Sequence, residues 1–135
     1  MQVNVQDQVN VEETSDALVI TPRFRRLDAA VAPAFRDFLS TRIHTRGLVV
    51  FALGNIRSMD SSGLGSLVSV LKLLPAGGIV RLAEVNPSLE KLLKRTRLHH
   101  VLPVFPSVAL AVHGVIGDPS LMEQSGVRRL RNADR

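Results

Sequence analysis

Leu48-Val49-Val50-Phe51-Ala52-Leu53 is an unbroken apolar run, closed by Gly54-Asn55. A strand with one wet face would alternate apolar with polar residues, so a run that is apolar at every position marks a central strand covered on two faces. Downstream, Leu64, Leu67, Val68 and Leu71 recur at helical spacing, which predicts a helix over 62–74 that is stopped by Pro75 to Gly78. Ile79-Val80-Arg81-Leu82-Ala83 then reads as a further strand. Strands alternating with single helices require crossover connections, and those generate a mostly parallel sheet.

Outward from this centre the pattern extends in both directions. Toward the start, residues 3–11 alternate apart from a break near Asp7, and Ala17-Leu18-Val19-Ile20-Thr21 is a short apolar run. They form an expected antiparallel strand pair, with Thr14-Ser15-Asp16 as its turn. Val31, Ala34, Phe35, Phe38, Leu39 and Ile43 follow helical spacing, with Pro33 in the first turn and Gly47 as the stop. Toward the end, Asn86-Pro87 is a helix start, because Asn caps free N–H groups and Pro suits the first helical position. Val101-Leu102-Pro103-Val104-Phe105 reads as an edge strand, since Pro cannot donate to a ladder. Ser107 is placed to cap a last helix through Ile116. The expected fold class is therefore α/β: one domain over 1–117, with a mixed, mostly parallel sheet of about five strands and about four helices. Residues 118–135 carry few apolar positions and several arginines, and read as a loosely held basic tail.

The 135 residues suffice for one core and are too few for two. No apolar stretch approaches the length of a membrane span, and Met1-Gln2-Val3-Asn4-Val5 lacks the character of a signal peptide. A soluble, unprocessed, cytoplasmic protein without membrane insertion is expected. Disulfides and thiolate chemistry are excluded because the chain has no cysteine. The net charge of +5 invites a nucleic-acid reading, but the Lys and Arg residues fall in separate groups, and there is no Trp or Tyr on which bases could stack. No direct contact with nucleic acid is expected, and surplus positive charge suits an acidic protein partner instead.

Motifs for catalysis are missing. His44, His99, His100 and His113 make no helical metal pair, and His99 and His100 would point to opposite sides of a strand. There is no Gly-x-Ser-x-Gly elbow and no Gly-Lys-Ser/Thr phosphate loop, and Gly63-Leu64-Gly65 lacks the third glycine of a dinucleotide fingerprint. No enzyme activity, cofactor or metal is expected. Met59-Asp60-Ser61-Ser62-Gly63-Leu64-Gly65 is the segment that stands out, at the mouth of the helix after the central strand. Asp and Ser there can cap the helix. Capping does not account for the glycines, each of which costs about 0.5–1 kcal/mol relative to Ala in a helix. They suggest a bare backbone surface open to another protein.

Asp60-Ser61-Ser62-Gly63-Leu64-Gly65, followed by a leucine-bearing helix, resembles the signature of bacterial anti-sigma-factor antagonists in the sulphate-transporter and anti-sigma-factor antagonist (STAS) family. The order of elements agrees over residues 3–116, including Leu27-Asp28 before the first helix and Leu102-Pro103-Val104-Phe105-Pro106-Ser107 before the last. The resemblance implies that Ser61 is a phosphoacceptor, with Asp60 as the adjacent acidic residue and Ser62 as a neighbouring hydroxyl or cap. It also implies a partner-binding surface of Asp28, Asp60, Ser61, Ser62, Gly63, Leu64 and Gly65, together with Arg25 and Arg26. The implied partners are an anti-sigma factor or serine kinase and a serine phosphatase.

The sequence departs from the family pattern at Ala52, where the family often has Asp, and at Arg25-Arg26, where Gly and an acidic residue are common. The second departure suggests a partner more acidic than usual. Under the leading reading, the unmodified protein binds an anti-sigma factor or kinase and releases it once Ser61 is phosphorylated. Two other readings stand beside it: a constitutively docked accessory subunit of a transporter or lipid-trafficking complex, and a nucleotide or small-molecule sensor at the sheet's carboxyl ends.

Overall fold

The computed structural model describes residues 5–43 and 47–114; His44, Ile116 and the tail 118–135 lie outside them. In chain order the elements are β1 (Val9–Glu13), β2 (Leu18–Pro22), β3 (Arg26–Leu27), α1 (Ala32–Ser40), β4 (Leu48–Ala52), β5 (Ser58–Met59), α2 (Ser61–Leu73), β6 (Ile79–Ala83), α3 (Pro87–Arg95), β7 (Val104–Phe105) and α4 (Val108–His113). The main sheet runs β1-β2-β4-β6-β7, with β1 antiparallel to β2 and every other pair parallel. The apolar run at 48–52 is its central strand.

Alternation along β4 sorts the core into two layers. Val49 and Phe51 join Phe35, Leu39, Leu67 and Leu93 on the side of α1, α2 and α3. Val50 and Ala52 join Ala83, Phe105 and Ala111 on the side of α4. Successive side chains on a strand point to opposite faces, so a strand between two helical layers must be apolar at each position. Ala52 belongs to this packing and is buried. Phe35 sits between two rings, edge-on to Phe24 at 5.5 Å and to Phe51 at 6.2 Å.

The helix starts follow the expected chemistry. Asn86 Oδ1 accepts from the Leu89 N–H at 2.8 Å, and Ser107 Oγ accepts from the Leu110 N–H at 3.2 Å. At the other end of α4, Arg81 reaches across from β6 and donates to the carbonyls of Ala111 at 3.0 Å and Gly114 at 2.9 Å. Its guanidinium also lies 5.0 Å from the centre of the Phe105 ring. A cation thus sits at the negative end of a short helix.

Three expectations change. Within the stretch read as a strand over 3–11, Val5–Gln8 form a 3-10 turn and β1 begins only at Val9, while residues 3 and 4 lie outside the described residues. There Val5 is buried, and Arg23 holds the turn by donating from its backbone to Gln8 and from its side chain to Asp7. Second, the strand expected over 101–105 shrinks to Val104–Phe105. Leu102 donates instead to the Leu98 carbonyl, closing a turn, and Pro103 has no N–H to offer. Third, His99 and His100 do not flank a strand. They fall in a 3-10 turn at Leu98–His100, and their ring centres are 4.1 Å apart.

Candidate functional site

The segment between β4 and α2 is held by backbone contacts from β3. Strands β3 and β5 form a short parallel pair, Arg26 opposite Ser58 and Leu27 opposite Met59. The Asp60 N–H points to the Leu27 carbonyl at 3.4 Å. Asp60 then caps α2, its Oδ1 accepting from the Gly63 N–H at 2.9 Å, while its Oδ2 accepts from the Ala29 N–H at 3.2 Å. One carboxylate therefore ties the start of α2 to the loop that leads into α1. The Gly63 N–H above all favours the charged form; desolvation opposes it, and the Ala29 N–H adds to the lowering, so the Asp60 carboxyl is held below its usual range.

Asp28 performs a related task one turn away. Its Oδ1 accepts from the Ala30 N–H at 3.1 Å, and its carbonyl accepts from Val31 and Ala32, which starts α1. Its carboxylate lies 3.9 Å from Arg26, an exposed ion pair.

These contacts place the serines. Ser61 is the first residue of α2 and exposed, Ser62 is half-buried, and the cap is Asp60 rather than either hydroxyl. Gly65 is exposed, and a β-carbon there would meet nothing within 4 Å. Gly63 differs from the expectation of a bare outer surface. It is buried, and a β-carbon on it would lie 2.0 Å from the Leu27 carbonyl oxygen. Its bareness is used inside the molecule, where α2 presses on β3. Leu64 likewise points inward and is 5% exposed, within the core. The outward part of the segment is thus Asp60, Ser61 and Gly65, with Ser62 at the edge.

Arg25 and Arg26 part company in the fold. Arg26 pairs with Asp28, whereas Arg25 lines a cleft of about 420 Å³ with Arg23, Arg57, Asn55 and Asn86. Arg57 belongs to no motif in the sequence. Its position just beyond the central strand, where loops at strand carboxyl ends gather around a crevice, is the one feature that points to it. Among the described residues no group of three or more His, Asp or Glu is arranged to hold a metal ion.

The STAS domain family model matches residues 8–111. The anti-sigma F factor antagonist of Paenibacillus polymyxa is 36% identical over 58 residues, which is 42% of this chain and 50% of that protein. The crystal structure of an anti-sigma factor antagonist from Mycobacterium paratuberculosis has a TM-score of 0.71 at 19% identity, covering 79% of this chain and 92% of that one. The Bacillus cell fate determinant SpoIIAA in its phosphorylated form has a TM-score of 0.60 at 23% identity, covering 77% and 96%. At these identities the two structures share the fold with this chain.

Proposed function

The chain belongs to the STAS-domain family, and on that premise we propose that it is an anti-sigma-factor antagonist switched by phosphorylation of Ser61. The observation that carries this reading is the position of Ser61: exposed, first in α2, and directly after an Asp that caps the helix from outside the hydroxyl. A phosphate there would add about −1.5 to −2 charges at neutral pH. The start of a helix tolerates that charge, because its free N–H groups and dipole favour anions, so the fold survives modification. A partner seated over Asp60, Ser61 and Gly65 would meet a new charge and its hydration shell, and would leave. Arg25, in the loop that precedes β3, accepts at its carbonyl from the Arg57 and Ser58 N–H groups in the segment leading to Ser61, and contributes to docking.

Catalysis is not asked of this chain. A serine kinase, which is also the anti-sigma factor, supplies ATP chemistry and binds the unmodified form, and a serine phosphatase restores it in the cytoplasm. The test captures partners of the unmodified chain from the native cell, identifies them by mass spectrometry, and measures binding of the purified partner before and after phosphorylation. An anti-sigma factor that binds the unmodified chain and releases the Ser61 phosphoform is the expected result. Equal binding of both forms would replace the switch with constitutive docking, as in an accessory subunit.

A further inference from the structure

The arginine cleft at the carboxyl ends of β2, β4 and β6 carries an excess of positive charge. Arg23, Arg25 and Arg57 line it, against the one Glu84 carboxylate that stands beside Gly54 on its wall. The Arg57 N–H donates to the Arg25 carbonyl at 2.7 Å, and the Ser58 N–H to the same oxygen at 3.2 Å, so the two chain segments are fixed side by side. Like charges are thereby held together by backbone bonds. The ion pairs seen among the described residues are elsewhere, at Arg26–Asp28, Lys94–Glu90 and His113–Asp16.

The walls of the cleft are built rather than loose. Asn55 Nδ2 donates to the Pro22 carbonyl at 3.2 Å. Asn86 Nδ2 donates to the Ile56 carbonyl at 3.0 Å, while its Oδ1 caps α3. Both amides are committed to joining loops and the Arg23 guanidinium to the Asp7 carbonyl, which leaves Arg25 and Arg57 as the chemistry offered to a visitor.

Beside the cleft runs a second groove of about 220 Å³, in which Met59, Leu89 and Leu92 meet Ser58 and Ser88. The two depressions share Ile56, Arg57 and Asn86 as a common wall. A single ligand entering both would present carboxylates to Arg25 and Arg57 and an apolar side chain to Met59 and Leu92. Guanidinium groups pair carboxylates in bidentate fashion, and charge complementarity of this kind sets partner choice.

We infer that this double groove receives an acidic segment of the partner protein, carrying carboxylates next to an apolar anchor. The inference deepens the proposed function and rests on its partner-binding reading, since it names the chemistry of the partner surface that docks beside Ser61. Met59, on the groove wall, is two residues before Ser61, so a phosphate on that serine adds negative charge at the border of a site built for negative groups.

The test titrates the full chain against a fluorescent peptide in which paired glutamates adjoin a leucine, read by anisotropy at low and moderate salt. Comparison peptides carry lysines for the glutamates or serine for the leucine, and inorganic pyrophosphate serves as a competing small anion. Expected are binding of the acidic peptide that weakens with salt, loss of at least about tenfold in affinity for Arg25→Glu/Arg57→Glu, and a smaller loss when the peptide leucine is removed. Both arginines are exposed, so circular dichroism and urea midpoint should match the parent. Equal binding of the lysine peptide, or unchanged affinity in the double variant, overturns the inference. So does pyrophosphate that occupies the cleft without displacing the peptide, which would make it a small-anion site. The assay contains neither kinase nor anti-sigma factor. Its failure would leave the Ser61 switch standing, and failure of the switch would leave the peptide result standing.

Discussion

Gly63 packs so closely on Leu27 that a β-carbon would lie 2.0 Å from the Leu27 carbonyl oxygen and 2.8 Å from the Met59 side chain. Backbone on one side cannot yield as a side chain can, so Gly63→Ala must push α2 away from β3. A loss of about 2–3 kcal/mol is expected, in the range of overpacked cores. Gly65→Ala meets open space and should instead gain about 0.5–1 kcal/mol from helix propensity. Urea unfolding of the two variants checks the opposite signs, and a Gly63→Ala variant as stable as the parent would refute the close-packing role.

Asp60 gives stability an acid dependence. Its folded carboxyl lies below the ordinary value because the Gly63 N–H favours the anion. A group depressed in this way contributes stability that is fully present above its unfolded value, roughly 4, and is lost as pH falls through the folded value. Asp60→Asn should lower the urea midpoint at neutral pH, and the gap between parent and variant should narrow as pH drops below about 4. A gap independent of pH would show that the charge on Asp60 does not matter to the fold.

Ser61 should be replaceable without structural cost. Asp60 supplies the cap, so Ser61→Ala is expected to stay within about 0.5 kcal/mol of the parent. It should still bind the partner yet accept no phosphate when intact mass is followed with kinase and ATP. Ser61→Asp should fold but bind more weakly, and less completely so than the phosphoserine form, since a carboxylate has less charge and fewer acceptors. Phosphate found solely on Ser62 would move the switch by one residue.

Arg81 should prove structural. Its two bonds to the carbonyls at the end of α4 are charge-assisted, and burial pushes the guanidinium below its ordinary value without neutralising it. Arg81→Met keeps the apolar stem over Phe105 but leaves the Ala111 and Gly114 carbonyls without this donor. A loss of about 1–3 kcal/mol is expected, together with faster amide exchange in α4, while partner binding is retained in the folded fraction. Unaltered exchange in α4 would remove Arg81 from its end.

Much of this protein is written locally. The apolar run at 48–52 can be satisfied only between two layers, Asn86 and Ser107 carry their capping function in their own side chains, and both β2 and β6 follow from short apolar stretches. These features depend on residues within a few positions of one another, so periodicity and capping chemistry suffice to read them. The shape of the site depends on distant partners. Strands β3 and β5 have two residues each, too few for any period, yet their pairing brings Arg25 beside Arg57, turns Gly63 from an apparent outer surface into a contact with Leu27, and lets Asp60 hold Ala29. Whether a glycine faces solvent or a carbonyl, and whether two arginines share a cleft, is decided by backbone hydrogen bonds between remote segments, which leave no mark in the sequence around either one.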